Sequence, residues 1–167
     1  MKTISKIILI LLGTILMKPT SAQLYTGGTT SMNFDGGVYV DLAPIIGYRI
    51  LSLNVGVSPI FSYSNRLDVK GAYAWGGRIF AEYTVLKGIF VHGEIEGQNS
   101  EKVSISDLGV TTKSRIWTAA APFGVGYEYV IMKGVRAQGM VLYDLLHTKD
   151  SPSQNPIIRG GVTYDLP

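Results

Sequence analysis

The amino-acid sequence predicts an all-β protein: an antiparallel up-and-down β-barrel of about eight strands. Three observations carry that prediction. Apolar and polar residues alternate with a period of two in segment after segment. Tight turns alternate with longer polar connections. Nearly every charge inside the alternating segments falls on one of the two rows.

The first 22 residues stand apart. Lys2 and Lys6 precede an apolar run from Ile7 to Met17, too short to span a bilayer. Thr20-Ser21-Ala22 offers small residues at a cleavage position. Residues 1–22 therefore read as a cleavable signal peptide, and 23–167 as the barrel. Lys2, Lys6 and Lys18 account for the whole formal net charge of +3, so the remainder is neutral. The basic composition is then no argument for nucleic acid, and no basic stripe with interleaved aromatics appears. The chain has 0 Cys, which excludes disulfides, thiolate metal ligands and a thiol nucleophile.

Seven segments read as strands. Val38 to Ile50 sets Val38, Val40, Leu42, Ile46 and Tyr48 against Tyr39, Asp41, Ala43, Gly47 and Arg49. Leu53 to Ser64 sets Leu53, Val55, Val57, Phe61 and Tyr63 against Asn54, Gly56, Ser58 and Ser62. Tyr73 to Val85 opposes Arg78, Glu82 and Thr84 with an apolar row from Tyr73 to Val85. Ile89 to Gln98 opposes Ile89, Val91 and Ile95 with His92, Glu94, Glu96 and Gln98. Ile116 to Tyr129 and Val135 to His147 flank the turn Met132-Lys133-Gly134. Ile157 to Leu166 closes the series. Pro44 and Pro59 interrupt strand patterns and read as bulges or bends near a rim.

Parity asks for an eighth strand, and Gln23 to Thr30 supplies it, ahead of a loop around Ser31 to Asp35. Arg49 to Ser52, Leu86 to Gly88 and Met132 to Gly134 are the tight turns. Residues 65–72, 99–115 and 148–155 are expected to be long polar loops. Short turns at one end and long loops at the other are the asymmetry of an outer-membrane barrel.

Which row faces water follows from where the charges lie. The polar row holds Asp41, Arg49, Arg78, Glu82, His92, Glu94, Glu96, Glu128, Arg136, Asp144, Arg159 and Asp165. The other row holds only aliphatics, Gly, Ala and aromatics. In a soluble barrel the uncharged row packs inside. For an exported chain with apolar rows about ten residues long, the inverse applies: lipid outside, polar lumen inside. Tyr48, Tyr83, Tyr127, Tyr129 and Tyr164 are placed for an aromatic girdle at the turn end. Tyr63, Tyr73, Trp75 and Trp117 are placed for one at the loop end.

The segments "LAPIIGYRI", "GGRIFAEYTVLKGIFVHGEIE" and "GMVLYDLL…PIIRGGVTYDL" resemble the small eight-stranded outer-membrane β-barrel proteins of Bacteroidetes-type bacteria. The resemblance covers residues 23–167. It implies residence in the cell outer membrane, with outer-membrane lipid and the barrel assembly machinery as partners. Such barrels usually end in an aromatic residue that the machinery reads; this chain ends Tyr164-Asp165-Leu166-Pro167.

The lumen charges predict a salt-bridged interior, because unpaired burial is costly. The function expected is non-enzymatic: envelope structure, or contact with an unknown surface partner through the outer loops. A narrow ion or small-solute channel and a rim enzyme acting on lipid A are the alternatives. His147, followed by Thr148, Ser151 and Ser153, is the candidate for rim chemistry, but no motif links it to a serine. His92, Glu94 and Glu96 share a strand face, yet one His with flexible carboxylates predicts no metal site. No cofactor is expected.

Overall fold

A computed structural model describes residues 22–33, 37–66, 72–105, 111–148, 151 and 154–167. The expected signal peptide, apart from Ala22, lies outside these residues. The strands are β1 (Ala22–Asn33), β2 (Gly37–Ile50), β3 (Leu53–Arg66), β4 (Ala72–Leu86) and β5 (Ile89–Ile105). They continue as β6 (Thr111–Ala120), β7 (Pro122–Met132), β8 (Val135–Asp144) and β9 (Ile157–Asp165). β6 and β7 are two halves of one wall strand: both pair with β5 in a single register. Pro122, without an amide hydrogen, sits at their junction.

All pairings are antiparallel between neighbours, and β1 pairs with β9 from Tyr25↔Asp165 to Ser31↔Arg159. The result is a closed eight-stranded up-and-down barrel. Closure leaves the wall no unpaired edge there.

The tight turns fall where predicted. Gly88 and Gly134 adopt φ of 81° and 80°, a region that costs glycine nothing. Leu51 takes φ 56° at the third turn. β1 is longer than Gln23 to Thr30: Ser31, Met32 and Asn33 pair with β2, where a loop was expected. Ala22 at its start pairs with Ile50.

The segment 99–115 is also not a loop throughout. Asn99 to Ile105 pair with Thr111 to Trp117 as an extension of the hairpin. Val103, Ile105, Thr111 and Thr112 are β-branched and sustain pairing despite their polar neighbours. Similarly, strand reaches Arg66 and resumes at Ala72, which leaves only 67–71 of that expected loop outside the described residues. β8 stops at Asp144, so Leu145 to His147 leave the strand pattern.

Pro44 and Pro59 make neither a bulge nor a rim bend. The β2–β3 register is the same on both sides of them, from Leu42↔Phe61 to Ile46↔Val57. In that register the two prolines face each other at mid-strand. Neither can donate, so the ladder lapses there. The Ser58 hydroxyl fills the gap from inside, 2.6 Å from the Pro44 carbonyl and 3.1 Å from its neighbour on Pro59.

The alternation resolves into an inside-out section. Leu42, Ile79, Ile95, Phe123, Val141 and Ile158 point outward and are exposed. The aromatics assigned to the two girdles are also exposed, with Tyr63 and Tyr73 in ring contact and Trp75 edge-on to Trp117 at 5.3 Å.

Candidate functional site

Among the described residues the interior gathers most of the charges, and it is built by strand parity. Every second residue of a strand enters the lumen, so one residue per two positions on each wall can reach its counterpart across the barrel. Asp41, Arg49, Arg78, Glu82, His92, Glu94, Glu96, Asp144 and Arg159 are buried, and Glu128, Arg136 and Asp165 are partly so.

At the turn end four residues form a closed quartet. Arg49 lies 2.9 Å from Glu128 and 2.8 Å from Asp165. Arg136 lies 2.8 Å from Glu128 and 3.2 Å from Asp165. Two guanidinium groups thus alternate with two carboxylates, and the ring is neutral. Arg49 also donates to Thr163 at 2.7 Å and stands 4.5 Å from the Tyr25 ring centre. The quartet borders a cavity of about 340 Å³ that Gln23, Asn54 and Thr84 help to line.

Deeper inside, Glu94 is the hub. Arg159 Nη1 donates to both of its oxygens at 2.9 Å, and Arg78 Nε approaches at 3.6 Å. His92 bridges Glu94 (Nε2, 3.0 Å) and Glu82 (Nδ1, 3.1 Å). Both ring nitrogens face carboxylate oxygens, so the trio closes only with a proton on each nitrogen or on one facing carboxyl. Asn54 donates to Glu82 at 3.2 Å, and His92 stacks on Phe80. Glu96 lies 4.0 Å from Arg159 and accepts from Gln98 at 2.7 Å. Arg78 also donates to the Thr29 hydroxyl.

Two of the expected network members make their hydrogen bonds to groups other than the arginines. Asp41 accepts from the Ser31 amide at 2.9 Å and hydroxyl at 2.6 Å. Asp144 binds backbone instead of arginine: its Oδ1 accepts from the amides of Ala121 (2.8 Å) and Leu146 (3.0 Å). It closes the β6–β7 junction, where Pro122 breaks the ladder. The same carboxylate accepts from Ser151 at 3.5 Å, and Ser151 also accepts from the Thr148 amide. Among the described residues, the Ser151 hydroxyl meets Asp144 and Thr148, not the His147 ring. Ser153 lies outside the described residues.

The interior is less polar than the charge pattern suggests. Phe90, Met140, Leu142 and Ile157 form one buried apolar cluster, and Tyr25, Ile45 and Phe80 another. Three inward aromatic rings lie over inward glycines of the next strand. A Cβ on Gly126 would stand 2.2 Å from the Phe90 ring. On Gly56 it would stand 2.6 Å from Phe80, and on Gly47 2.8 Å from Tyr25. The sequence signal was the glycine at lumen parity beside an aromatic of the neighbouring strand, visible only once register is known.

These groups can hold a barrel shut and rigid. Both apolar and charged side chains fill a bore that eight strands leave barely wide enough for them. No protein-family model matches the chain, and no curated protein matches it. Among solved structures, the N-terminal β-barrel domain of Pseudomonas aeruginosa OprF matches with TM-score 0.46 at 15% identity, covering 87% of this chain and 100% of that one. Neisserial surface protein A (NspA) matches with TM-score 0.42 at 13% identity, covering 87% of this chain and 96% of that one.

Proposed function

We propose that the protein is an integral outer-membrane β-barrel of non-enzymatic character, which serves the envelope as a rigid, ion-paired wall element and contacts partners at its outer rim. One observation carries the reading: the outward rows of β2, β4, β7, β8 and β9 hold only aliphatic, aromatic, glycine and proline residues, while Asp41, Arg49, Arg78, Glu82, Glu94, Glu96 and Arg159 turn inward. An exposed apolar surface of that extent is untenable for a monomer in water. In a bilayer it is the required surface, and backbone groups are then satisfied within the closed wall.

The reading is tested by fractionation and by gel migration. The protein should stay with alkali-washed outer membranes and migrate faster unheated than boiled. Release into the periplasm as a soluble monomer contradicts the proposal. Orientation is tested by an impermeant amine reagent on whole cells. Lys102 and Lys113 should react, and Lys87 and Lys133 in the tight turns should not. In planar bilayers the wild-type barrel should show no steady conductance, because the Glu94 hub occupies the bore; open-channel current would support a pore instead.

A further inference from the structure

We propose that the cavity at the turn end of the barrel binds an uncharged, hydroxyl-rich ligand the size of a sugar ring, held by Thr84, Arg136 and the amides of Gln23 and Asn54 and covered by Leu51. The inference goes beyond the membrane reading and does not depend on it.

The cavity measures about 340 Å³ and is lined by the Arg49–Glu128–Arg136–Asp165 quartet with Gln23, Leu51, Asn54 and Thr84. That is the low end for small-ligand sites, room for a single ring. Its lining runs from Arg49 and Asn54, both buried, to Leu51, which is 88% exposed, so it has a floor and a lip. The quartet decides the charge class. Each guanidinium lies against both carboxylates, and the ring of charges is neutral. An ion entering here must displace a partner, and the displaced partner is left unpaired. What the lining still offers is hydrogen bonds. Arg136, the most exposed of the four, spends one Nη donor on Glu128 and one on Asp165 and keeps the rest of its fork. Gln23 and Asn54 give their amide nitrogens to Leu166 and Glu82, which leaves their oxygens to accept. Thr84 adds a hydroxyl that no other described side chain takes. Donors and acceptors without net charge match hydroxyl groups, which are both at once.

Leu51 points to a ligand independently. It takes φ 56°, a left-handed conformation that suits glycine and costs a leucine. A side chain so exposed recovers little of that cost by packing within the chain. Such outliers cluster at ligand clamps. At the lip of the cavity, the Leu51 methyl groups can cover the C–H face of a ring whose hydroxyls meet Thr84 and Arg136.

The test titrates the whole chain, isotope-labelled and folded in lauryldimethylamine oxide micelles, with N-acetylglucosamine and with glucose, and reads amide chemical shifts. Saturable shifts should centre on Gln23, Leu51, Asn54 and Thr84. Thr84→Val should weaken binding about five-fold, the worth of one hydrogen bond. Leu51→Gly relieves the turn and should weaken binding about three-fold, while the unfolding midpoint stays or rises. No saturable shift with either sugar overturns the site, as does unchanged affinity in both variants. Free glycine or inorganic phosphate binding the same amides more tightly than the sugars rejects the uncharged class, and the proposal with it. Each of these failures leaves the membrane reading untouched.

Discussion

Ser58 shows how much a single hydroxyl can matter where two prolines meet. It stands against the Pro44 and Pro59 carbonyls in a stretch of wall that the backbone itself cannot close. Ser58→Ala should therefore destabilise the folded barrel by about 1–3 kcal/mol, the cost of leaving a buried acceptor unmet. Urea unfolding in detergent micelles measures it, and an unchanged midpoint would show that water serves equally well. Gly126→Ala should cost about 1–3 kcal/mol by forcing the Phe90 ring aside, whereas Gly139→Ala, with no atom within 4 Å of its added carbon, should be close to neutral. Glu94 is the most exposed to loss of partners in the other sense: its removal strands Arg78 and Arg159 in the bore. Glu94→Gln should cost about 3–5 kcal/mol, as when one member of a buried pair is deleted. Parity alone placed these side chains inside. It did not tell which arginine meets which carboxylate, because partners such as Arg49 and Asp165 come from opposite ends of the chain and meet only on closure.

At the level of strands, alternation was legible and strand ends were not. The charges at Arg49, Glu82 and Arg159 marked the inner row because, on the proposed membrane reading, an outward charge in lipid is costly. Phe90 and Ile45 were missed, since an apolar residue on the inner row breaks no rule that the outer row obeys. The 99–115 segment was misread as a loop for the opposite reason: its alternation has few apolar residues, yet a polar hairpin can still pair. Asp144 was misassigned because parity places a side chain without saying whether a backbone amide is waiting for it. Across the turn between β7 and β8, Glu128 and Arg136 do meet, at 2.8 Å. Each also has a second partner in the quartet. Removing either alone should then cost more than half of what removing both costs, and a double-mutant cycle reads the difference. Strictly additive losses would show that the pair is uncoupled. On β8, Val141→Phe should be tolerated while Val141→Arg should cost about 2–4 kcal/mol, the penalty for a cation near the bilayer midplane.

For the whole molecule, one claim organises the rest: the uncharged row faces lipid and the charged row is sealed within. Interior ion pairs and exterior aliphatics are two consequences of one choice of face, since a shift of one residue would exchange them on every strand. The chain has 0 Cys, so single cysteines can be placed along β8 without a background. Spin labels at positions 138 through 143, on the barrel in liposomes, report collisions with oxygen and with a water-soluble nickel chelate. Gly139, Val141 and Tyr143 should be open to oxygen and closed to nickel, and Gln138, Met140 and Leu142 should be closed to both. A period of two with that phase is the predicted result. High nickel accessibility at Val141 and Tyr143 would put the apolar row in water and contradict the account.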